Sequence, residues 1–294
     1  MRAFLVGVWL FVDTICFGWD VRIMTMNVEN LGERKKEGRE NLRSAQNDAR
    51  RALVVKETRI ARILKRELPD LLVLEEVHDV KALEKIVQDV HWNQAVKVTC
   101  SKGPLQKTCI VGPDMALRTV EEIPVRVVEF NGSHKELRSI IASRWRFEKA
   151  PVDVMLLGAH LPAAYHSVAM RREAMIKLTQ EARKRSAEKV LLVAAGDFNT
   201  PRKDEDAVHL PSYWQLASKE LPQNSGTYFH AKAWHFLDNV LLYKGQKHSF
   251  AEVRVVSHLP FQKLPSGAPA RFDPIRLEGV SDHFPLLVKI HVPE

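Results

Sequence analysis

The sequence predicts an α/β protein in which β-sheets are covered by helices. Short apolar runs recur along the chain with the length and composition of buried strands, and two longer segments show the spacing of amphipathic helices. The predicted strands outnumber the predicted helices, and the helices lie between strands in the sequence. This alternation is typical of sheets whose faces are covered by helices.

The predicted elements follow one another along the chain. Residues 21–28 alternate apolar and polar side chains, which predicts a half-buried strand. A helix follows, with Ile60, Ile63 and Leu64 on one face and Pro69 at its end. A second surface helix is predicted over residues 168–185, and residues 120–147 are rich in β-forming residues around the turn Asn131-Gly132-Ser133. Buried strands are predicted at residues 70–74, 152–157, 190–195, 237–242 and 286–290.

The length and composition of the chain are those of a globular domain. Its 294 residues are 45% hydrophobic and 27% charged, which provides enough apolar material for a sizeable core. No linker rich in Pro, Gly or Ser divides the chain, and no segment repeats at a fixed period. We therefore expect one domain over residues 19–294.

Residues 1–18 differ from the rest of the chain. Arg2 precedes an apolar run over residues 3–12, and small residues follow up to Gly18. This order is typical of a secretory signal peptide. A membrane anchor is the alternative, but a spanning helix needs about 20 apolar residues and this run is shorter. We therefore expect cleavage near Gly18, a secreted or periplasmic location, and a monomer that is not inserted in a membrane.

Export changes the interpretation of the cysteines. Cys16 lies inside the predicted signal peptide, which leaves Cys100 and Cys109 as the pair of the mature chain. They flank a short polar stretch typical of a hairpin tip, and in an oxidising compartment we expect them to form a disulfide. Two free, half-buried thiols are the alternative. A metal site is not expected here, because no further cysteine supplies thiolate ligands.

Positive charge is concentrated in one segment. Residues 34–66 hold twelve basic and four acidic residues, an excess equal to the net charge of +8 of the whole chain. Such a segment is either a binding surface for a polyanion or the solvated face of a helix. The sequence leaves both interpretations open.

Side chains capable of chemistry gather at the ends of the predicted strands. In chain order they are Asn27 with Glu29, Glu75 with Glu76, His160, Asp197 with Asn199, Asp238, and Asp282 with His283. Taken singly, each group has a plain explanation, because Asp, Asn, Gly and Ser are common turn formers after a strand.

Taken together and in this order, the groups resemble the endonuclease/exonuclease/phosphatase family over residues 21–292. The segments that carry the resemblance are Met26-Asn27-Val28-Glu29, Leu74-Glu75-Glu76-Val77, Gly158-Ala159-His160, Gly196-Asp197-Phe198-Asn199, Leu237-Asp238-Asn239 and Ser281-Asp282-His283-Phe284-Pro285. The resemblance implies a four-layer αββα sandwich of the deoxyribonuclease I type. In that fold two packed β-sheets are flanked by helices, and the active site lies at one end of the sheets.

The resemblance implies a divalent metal ion bound at Glu76. Asn27 and Asp282 would assist Glu76, whereas Glu75 stands where family members usually carry Gln and is implied as a neighbour of the ligand. Hard oxygen ligands of this kind suit Mg²⁺, or Mn²⁺, better than zinc. The ion would act as a Lewis acid on a phosphoryl oxygen.

The same resemblance assigns catalytic roles to four residues. His283 is implied as the general base or as an imidazole that binds phosphate, with its tautomer fixed by Asp238. Asp197 would position or deprotonate the attacking water. His160 corresponds to the second imidazole of deoxyribonuclease-like and sphingomyelinase-like members, where it serves as the acid for the leaving group. Apurinic endonucleases lack this histidine.

The resemblance also implies three phosphate-binding residues, and the chain departs from the family pattern at two points. Asn27 and Asn199 would contact the phosphoryl group. Arg138 matches the position from which deoxyribonuclease-like members direct an Arg toward phosphate, and a solvent-facing strand Arg is the alternative. Glu29 is acidic where the pancreatic-type enzyme is not, and no carboxylate stands at the position that orients the second histidine of that enzyme.

Three kinds of phosphoester are candidate substrates. A nuclease acting on DNA or RNA is favoured by the basic segment, because Lys and Arg supply most of the sequence-independent affinity for nucleic acid. A sphingomyelinase-type phospholipase C needs an apolar surface element, and the candidate loop, residues 257–279, contains Phe261 and Phe272 but is otherwise Pro-rich and basic. The third candidate is a small phosphorylated compound. A catalytically inactive binding module would lack a central residue, and none is missing.

Overall fold

A computed structural model of the chain describes residues 18–32, 42–103, 106–128, 134–163 and 165–294. The predicted signal peptide apart from Gly18, residues 34–41 of the basic segment and the turn Asn131-Gly132-Ser133 lie outside the described residues. The predicted limits of the mature domain therefore stay predictions. Within the described ranges, no helix is long and apolar enough to cross a membrane.

The described residues form sixteen strands and four α-helices. The strands are β1 (Gly18–Leu31), β2 (Leu71–Val77), β3 (Val96–Cys100), β4 (Lys107–Pro113), β5 (Leu117–Ile123), β6 (Arg126–Val128), β7 (His134–Glu136), β8 (Ile140–Trp145), β9 (Asp153–His160), β10 (Val190–Asp197), β11 (Trp214–Leu216), β12 (Tyr228–His230), β13 (Ala233–His235), β14 (Asp238–Tyr243), β15 (Ser249–Val255) and β16 (Leu286–Pro293). The helices are α1 (Leu42–Glu67), α2 (Val80–Val90), α3 (Val168–Arg185) and α4 (Leu210–Tyr213).

Twelve of the strands form two six-stranded sheets. The first sheet has the order β15-β16-β1-β2-β4-β3, and the second has the order β11-β14-β10-β9-β8-β5. Each sheet contains one parallel pair, β1 with β2 and β9 with β10, among antiparallel neighbours. A parallel pair needs a crossover connection, and α1 and α3 lie in these two connections.

Three apolar layers hold the sheets and helices together. Alternate residues of a strand point to opposite faces, so Ile23 and Val73 enter the layer between the two sheets, whereas Met24 and Leu72 pack with α1 and α2. A third cluster contains buried residues of α3 and the outer face of the second sheet. The resulting order of layers is helix, sheet, sheet, helix. The predicted four-layer sandwich is therefore confirmed.

The β3–β4 hairpin carries the predicted disulfide. Cys100 and Cys109 are directly paired in the strand register, with Cα atoms 4.1 Å apart, and their sulfur atoms are bonded. The disulfide prediction is confirmed, and the interpretation as two free thiols is wrong. Closing a loop of this length contributes about 2 to 3 kcal/mol by the chain-entropy estimate.

Two helices illustrate how far the local pattern predicted the fold. The helix α3 has the predicted bounds, Val168–Arg185. The helix α2 was not predicted, although Asp79 caps its first turn by accepting a hydrogen bond from the N–H of Lys81. Its buried residues, Leu83, Ile86 and Val87 among them, also follow helical spacing.

Gly196 allows β10 to pass close to β9 at the end of the second sheet. Its φ angle is +147°, and a Cβ atom at this position would lie 1.9 Å from the carbonyl oxygen of Ala159. No side chain fits at that distance without separating the two strands. The next residue pair in the register is Asp197 with His160, so this close contact also sets the spacing of two predicted site residues.

We expect Gly196→Ala to destabilise the protein by about 3 kcal/mol or more, because it combines a steric clash with a strained backbone. The matched control is Gly103→Ala, since a Cβ atom at Gly103 would have no neighbour within 4 Å. Thermal unfolding followed by circular dichroism measures both variants. Equal melting temperatures for the two variants would contradict the required close approach of β9 and β10.

Candidate active site

The two parallel strand pairs bring the predicted residues to one end of the sandwich. Asn27 and Glu76 lie near the carboxyl ends of β1 and β2, and His160 and Asp197 end β9 and β10. The antiparallel strand β14 begins at the same level with Asp238, which pairs with Asp197. Parallel neighbours end at the same edge of a sheet, which explains why residues distant in sequence meet here.

The strands of the first sheet are distorted at this edge. The β1–β2 register shifts between Asn27 and Leu31. Glu29, Asn30 and Glu76 have positive φ angles of 48°, 60° and 61°. Such angles cost about 1 to 3 kcal/mol each in residues other than glycine, so the surrounding contacts must hold them. One of these contacts is the hydrogen bond from the N–H of Asn30 to Oε2 of Glu76, at 3.1 Å.

Asn27 connects the two sheets through hydrogen bonds. Its amide nitrogen donates to Oε1 of Glu76 and to Oδ2 of Asp197, each at 3.1 Å. Its amide oxygen accepts the N–H of Glu29 at 2.9 Å. The structure thus places Asn27 as a donor between two carboxylates, which suits contact with a phosphoryl oxygen. Its role as a metal ligand through the amide oxygen stays a prediction.

His283 and Asp238 form a buried hydrogen-bonded pair, as the sequence predicted. Nδ1 of His283 lies 2.7 Å from Oδ2 of Asp238. Burial by itself lowers the pKa of His283, but the charge of Asp238 and this hydrogen bond outweigh it and raise the pKa to about 10. A pKa in this range favours the protonated imidazole at neutral pH, in which Nε2 can donate to a phosphate oxygen. The two roles implied for His283, general base and phosphate-binding imidazole, stay predictions.

Asp197 lies at the centre of the group and is buried. Burial and the neighbouring Asp238 raise the pKa of Asp197 to about 7, whereas His283 and the amide of Asn27 act in the opposite direction. A carboxyl group with such a pKa changes protonation near neutral pH, as a group that accepts a proton from water must. Oδ1 of Asp197 also accepts the N–H of Asn199 at 2.9 Å.

Asn199 is held by its own strand end and by β9. Its φ angle is 48°, and its amide nitrogen donates to the carbonyl oxygen of Leu161 at 3.1 Å. The structure therefore brings Asn199 to the site next to Asp197. Its contact with a phosphoryl group stays a prediction.

His160 is buried beside Asp197, with Nε2 at 3.6 Å from Oδ2 of the carboxylate. Nδ1 of His160 has no hydrogen-bond partner among the described residues, which agrees with the missing orienting carboxylate. Burial, together with the charges of Arg138 and His283, lowers the pKa of His160 well below its usual value. The imidazole is therefore neutral at neutral pH. Its role as the acid for the leaving group stays a prediction.

Arg138 faces the site. Burial lowers the pKa of Arg138, and Glu76 and Asp197 are the carboxylates that counteract this effect. Nε of Arg138 is buried and has no hydrogen-bond partner among the described residues. A guanidinium group with an unused donor next to two carboxylates is available to a phosphate group. The interpretation as a solvent-facing strand residue is therefore not supported.

Lys56 of α1 is a buried residue of the site that was not predicted from the sequence. Its Nζ donates to the carbonyl oxygen of Glu29 and lies 5.0 Å from the centre of the Phe272 ring. Burial lowers the pKa of Lys56 to about 8, against the attraction of Glu29, Asp282 and Glu76. The available signal was its position four residues before Ile60, on the apolar face of the helix.

Among the described residues, one group of side chains could hold a metal ion. Asp197, Asp238 and His283 present ligand atoms within 4.8 Å of one another, but Nδ1 of His283 already forms a hydrogen bond with Asp238. The charges of Glu76, Glu29 and Asp282 all act on Lys56, but these three carboxylates do not form such a group. Burial and then repulsion from Asp282 raise the pKa of Glu29, although Arg271 forms an ion pair with it. Metal binding at Glu76, assisted by Asn27 and Asp282, therefore stays a prediction.

Glu75 is buried behind the site, where the family usually has Gln. Its Oε1 accepts a hydrogen bond from the hydroxyl of Thr25 at 2.8 Å, whereas Oε2 has no partner among the described residues. Burial, followed by repulsion from Asp238 and Asp197, raises the pKa of Glu75 well above its usual value. This shift favours the neutral form of the side chain, which resembles Gln in shape and polarity.

We expect Glu75→Gln to stabilise the protein increasingly as the pH rises. An acid whose pKa is raised in the folded state destabilises the fold increasingly as the pH rises above its unfolded pKa, and this cost stops growing once the pH passes its folded pKa. Glutamine removes this cost, so the stability difference between the variant and the native protein should grow as the pH rises above 4.5, the ordinary pKa of a glutamic acid. Urea unfolding at several pH values measures it, with the exposed Glu84→Gln as control. A difference that is independent of pH would contradict this assignment.

The chain is similar to known proteins in sequence pattern and in fold. A sequence model of the endonuclease/exonuclease/phosphatase family matches residues 24–283. No curated protein sequence matches the chain. Among solved structures, TDP2 of D. rerio complexed with single strand DNA product has a TM-score of 0.65 and 15% identity, and the match covers 92% of this chain and 98% of that chain. The mannosyl-6-phosphatase Bt3783 of Bacteroides thetaiotaomicron VPI-5482 has a TM-score of 0.64 and 13% identity, with 92% and 99% covered.

At these identities the structural likeness shows the fold alone, whereas the family match extends over most of the chain. Members of this family are hydrolases that act on phosphoester bonds and typically depend on a divalent metal. The chain therefore belongs to the endonuclease/exonuclease/phosphatase family.

Proposed function

We propose that the protein is a secreted, Mg²⁺-dependent phosphodiesterase whose substrate is nucleic acid. The observation that carries the proposal is the arrangement of Glu76, Asn27 and Asp197 in one hydrogen-bonded row across the two sheets. The His283–Asp238 pair, His160 and Arg138 lie around Asp197. These are the groups that hydrolysis of a phosphodiester requires, namely a metal ligand, a base for water and cationic donors for the phosphoryl oxygens.

The residues of the site have different roles, which follow from their charge and protonation state. Asp197 orients the attacking water and accepts its proton. The protonated His283, fixed by Asp238, donates from Nε2 to a phosphoryl oxygen, and Arg138 neutralises the same group. His160 completes the site on the β9 side. Preorganised donors of this kind stabilise the charge that develops in the transition state.

Glu76 and Asp282, with Asn27 beside them, would hold the divalent ion. When bound, this ion supplies Lewis-acid polarisation of the phosphoryl group. Mg²⁺ is favoured over zinc because the ligand atoms at this position are oxygens, and Mn²⁺ satisfies the same ligands.

Aromatic side chains at the rim of the site support a nucleic acid substrate. The ring of Tyr228 lies 4.8 Å from the ring of His283, and the adjacent Phe229 is 36% exposed. On the side of Arg138, Tyr165 is 85% exposed. Exposed rings next to a phosphate-binding site provide stacking surfaces for nucleobases.

The structure of helix α1 supports the interpretation of the basic segment as a polyanion-binding surface for part of its length. Arg50 and Arg51 are exposed, and they lie less than two turns before Lys56, which reaches the site. Lys65 and Arg66, by contrast, lie in the last turn of the helix, as the solvated-face interpretation predicts. Arg34, Lys35 and Lys36 lie outside the described residues.

A lipid substrate is disfavoured by the loop of residues 257–279. Phe261 and Phe272 are both partly buried. The guanidinium groups of Arg59 and Arg62 lie over the Phe261 ring, and Lys56 lies over the ring of Phe272. Aromatic rings covered by cations do not form the apolar surface that inserts into a bilayer.

A small phosphorylated compound is the second candidate substrate. It is favoured by the likeness in fold to the mannosyl-6-phosphatase.

Secretion is supported by the Cys100–Cys109 disulfide, because such bonds persist in oxidising compartments.

The substrate class is tested with the purified protein on plasmid DNA, RNA, sphingomyelin, a sugar phosphate and a chromogenic phosphodiester, each with Mg²⁺ and with EDTA. We expect Mg²⁺-dependent hydrolysis of nucleic acid with the highest kcat/KM. A higher kcat/KM on the sugar phosphate would select the second candidate. Hydrolysis of sphingomyelin alone would contradict the argument from the covered aromatic rings.

We expect Glu76→Ala and His283→Ala to differ in their response to metal. Loss of Glu76 weakens metal binding, so raising Mg²⁺ or Mn²⁺ should restore part of the activity. Loss of the imidazole should lower kcat about 10²-fold or more at every metal concentration. Asp238→Asn should give a milder form of the His283 defect, because only the orienting partner changes. Folded His283→Ala protein with activity within a few-fold of the native value would refute this assignment.

A further inference from the structure

Gln106 joins two elements of the active site. It lies in the disulfide loop, directly before β4, and its Oε1 accepts a hydrogen bond from a terminal nitrogen of Arg138. Its Nε2 donates to Oδ1 of Asn30. One side chain therefore contacts the guanidinium group that faces the phosphate position and a residue next to the metal position.

The contact with Asn30 leads on to Glu76. Oδ1 of Asn30 also lies 3.1 Å from Nε2 of His78, and the N–H of Asn30 donates to Oε2 of Glu76. Asn30 has a positive φ angle of 60°, so its conformation depends on these contacts. Gln106 thus lies in a continuous row of hydrogen bonds from Arg138 to Glu76.

The loop that leads to Gln106 is closed by the disulfide. Residues 101–108 lie between Cys100 and Cys109, and Ser101 and Thr108 form two further hydrogen bonds across the closure, at 3.0 and 3.2 Å. Ser101 and Thr108 are buried, whereas Gln106 is partly exposed. The disulfide and these two hydrogen bonds therefore hold together the base of the loop that carries Gln106.

We propose that Gln106 is a positioning residue for Arg138, and that the Cys100–Cys109 disulfide acts on the reaction through Gln106. Arg138 has an unpartnered, buried Nε, and Gln106 fixes the orientation of the guanidinium plane that carries it. A planar, preorganised guanidinium group loses less entropy when it binds phosphate. This inference rests on the proposed function, since it assumes that Arg138 binds the phosphoryl group of a substrate.

The test compares Gln106→Met with Lys107→Met in the full chain carrying Cys16→Ser. Methionine keeps the length of the glutamine side chain but removes both hydrogen bonds. Lys107 is the matched control, because it is the next residue in the chain and, among the described residues, its Nζ donates to the carbonyl oxygen of Gly103 at 2.9 Å. The measurements are kcat and KM for hydrolysis, and the affinity for inorganic phosphate by calorimetry.

We expect Gln106→Met to raise KM and weaken phosphate binding about tenfold, the usual effect of losing a hydrogen bond to a charged group. The value of kcat should change less, and Lys107→Met should resemble the native protein. In an Arg138→Met background, Gln106→Met should have no further effect on phosphate affinity. Additive losses in the double variant would overturn the positioning role, as would equal behaviour of the two methionine variants.

The disulfide is tested with and without a phosphine reductant, at a temperature where circular dichroism shows folded protein. Reduction should weaken phosphate binding of the Cys16→Ser protein by a similar factor and add little to the loss in Gln106→Met. An equal further loss in Gln106→Met would show that the disulfide acts independently of Gln106. If the native protein hydrolyses no phosphoester, the proposed function fails, and the phosphate affinities still decide the role of Gln106.

Discussion

The main constraint on this structure is the repulsion between carboxylates that are brought together at one end of the sandwich, most of them buried. The carboxylates of Glu29, Glu75, Asp197 and Asp238 are buried, and that of Glu76 beside them is partly exposed. Buried charges of the same sign are tolerated only when protons, cations or hydrogen-bond donors compensate them. The compensation takes several forms: Arg271 pairs with Glu29, His283 pairs with Asp238, Asn27 donates to both Glu76 and Asp197, and a raised pKa favours the neutral form of Glu75.

The fold provides this compensation through a small number of backbone features. Two parallel strand pairs align the carboxylates, and the shift in register after Asn27 turns the N–H of Asn30 toward Glu76. The close approach of β9 and β10 at Gly196 sets the distance between His160 and Asp197. Lys56 supplies a positive charge from α1 that acts on Glu29, Glu76 and Asp282. A divalent ion bound there would complete a balance of charge that the protein alone leaves negative.

Local patterns predicted the strand-end motifs and the disulfide, because each depends on residues close together in the sequence, whereas the order of the layers was implied by the family resemblance. The His283–Asp238 pair was accessible through the family resemblance. Lys56 and Gln106 were not predicted, since their places in the site come from contacts with Glu29 and Arg138, which lie 27 and 32 residues away in the chain. The raised pKa of His283 comes from the charge of Asp238 and the hydrogen bond to it, which outweigh burial and which the sequence does not display. The residue type at a strand end therefore predicted where a side chain lies better than it predicted the protonation state of that side chain.

The most direct test of the compensated carboxylate cluster is the thermal stability of the native protein and of Glu76→Gln, each with EDTA and with increasing Mg²⁺ or Mn²⁺. A ligand that binds only the folded state stabilises it by about 2.7 kcal/mol at 100 times its Kd. Metal should therefore raise the melting temperature of the native protein, and Glu76→Gln should show little of this increase. Equal stabilisation of both proteins by metal would contradict this model of the site and show that Glu76 does not bind the cation.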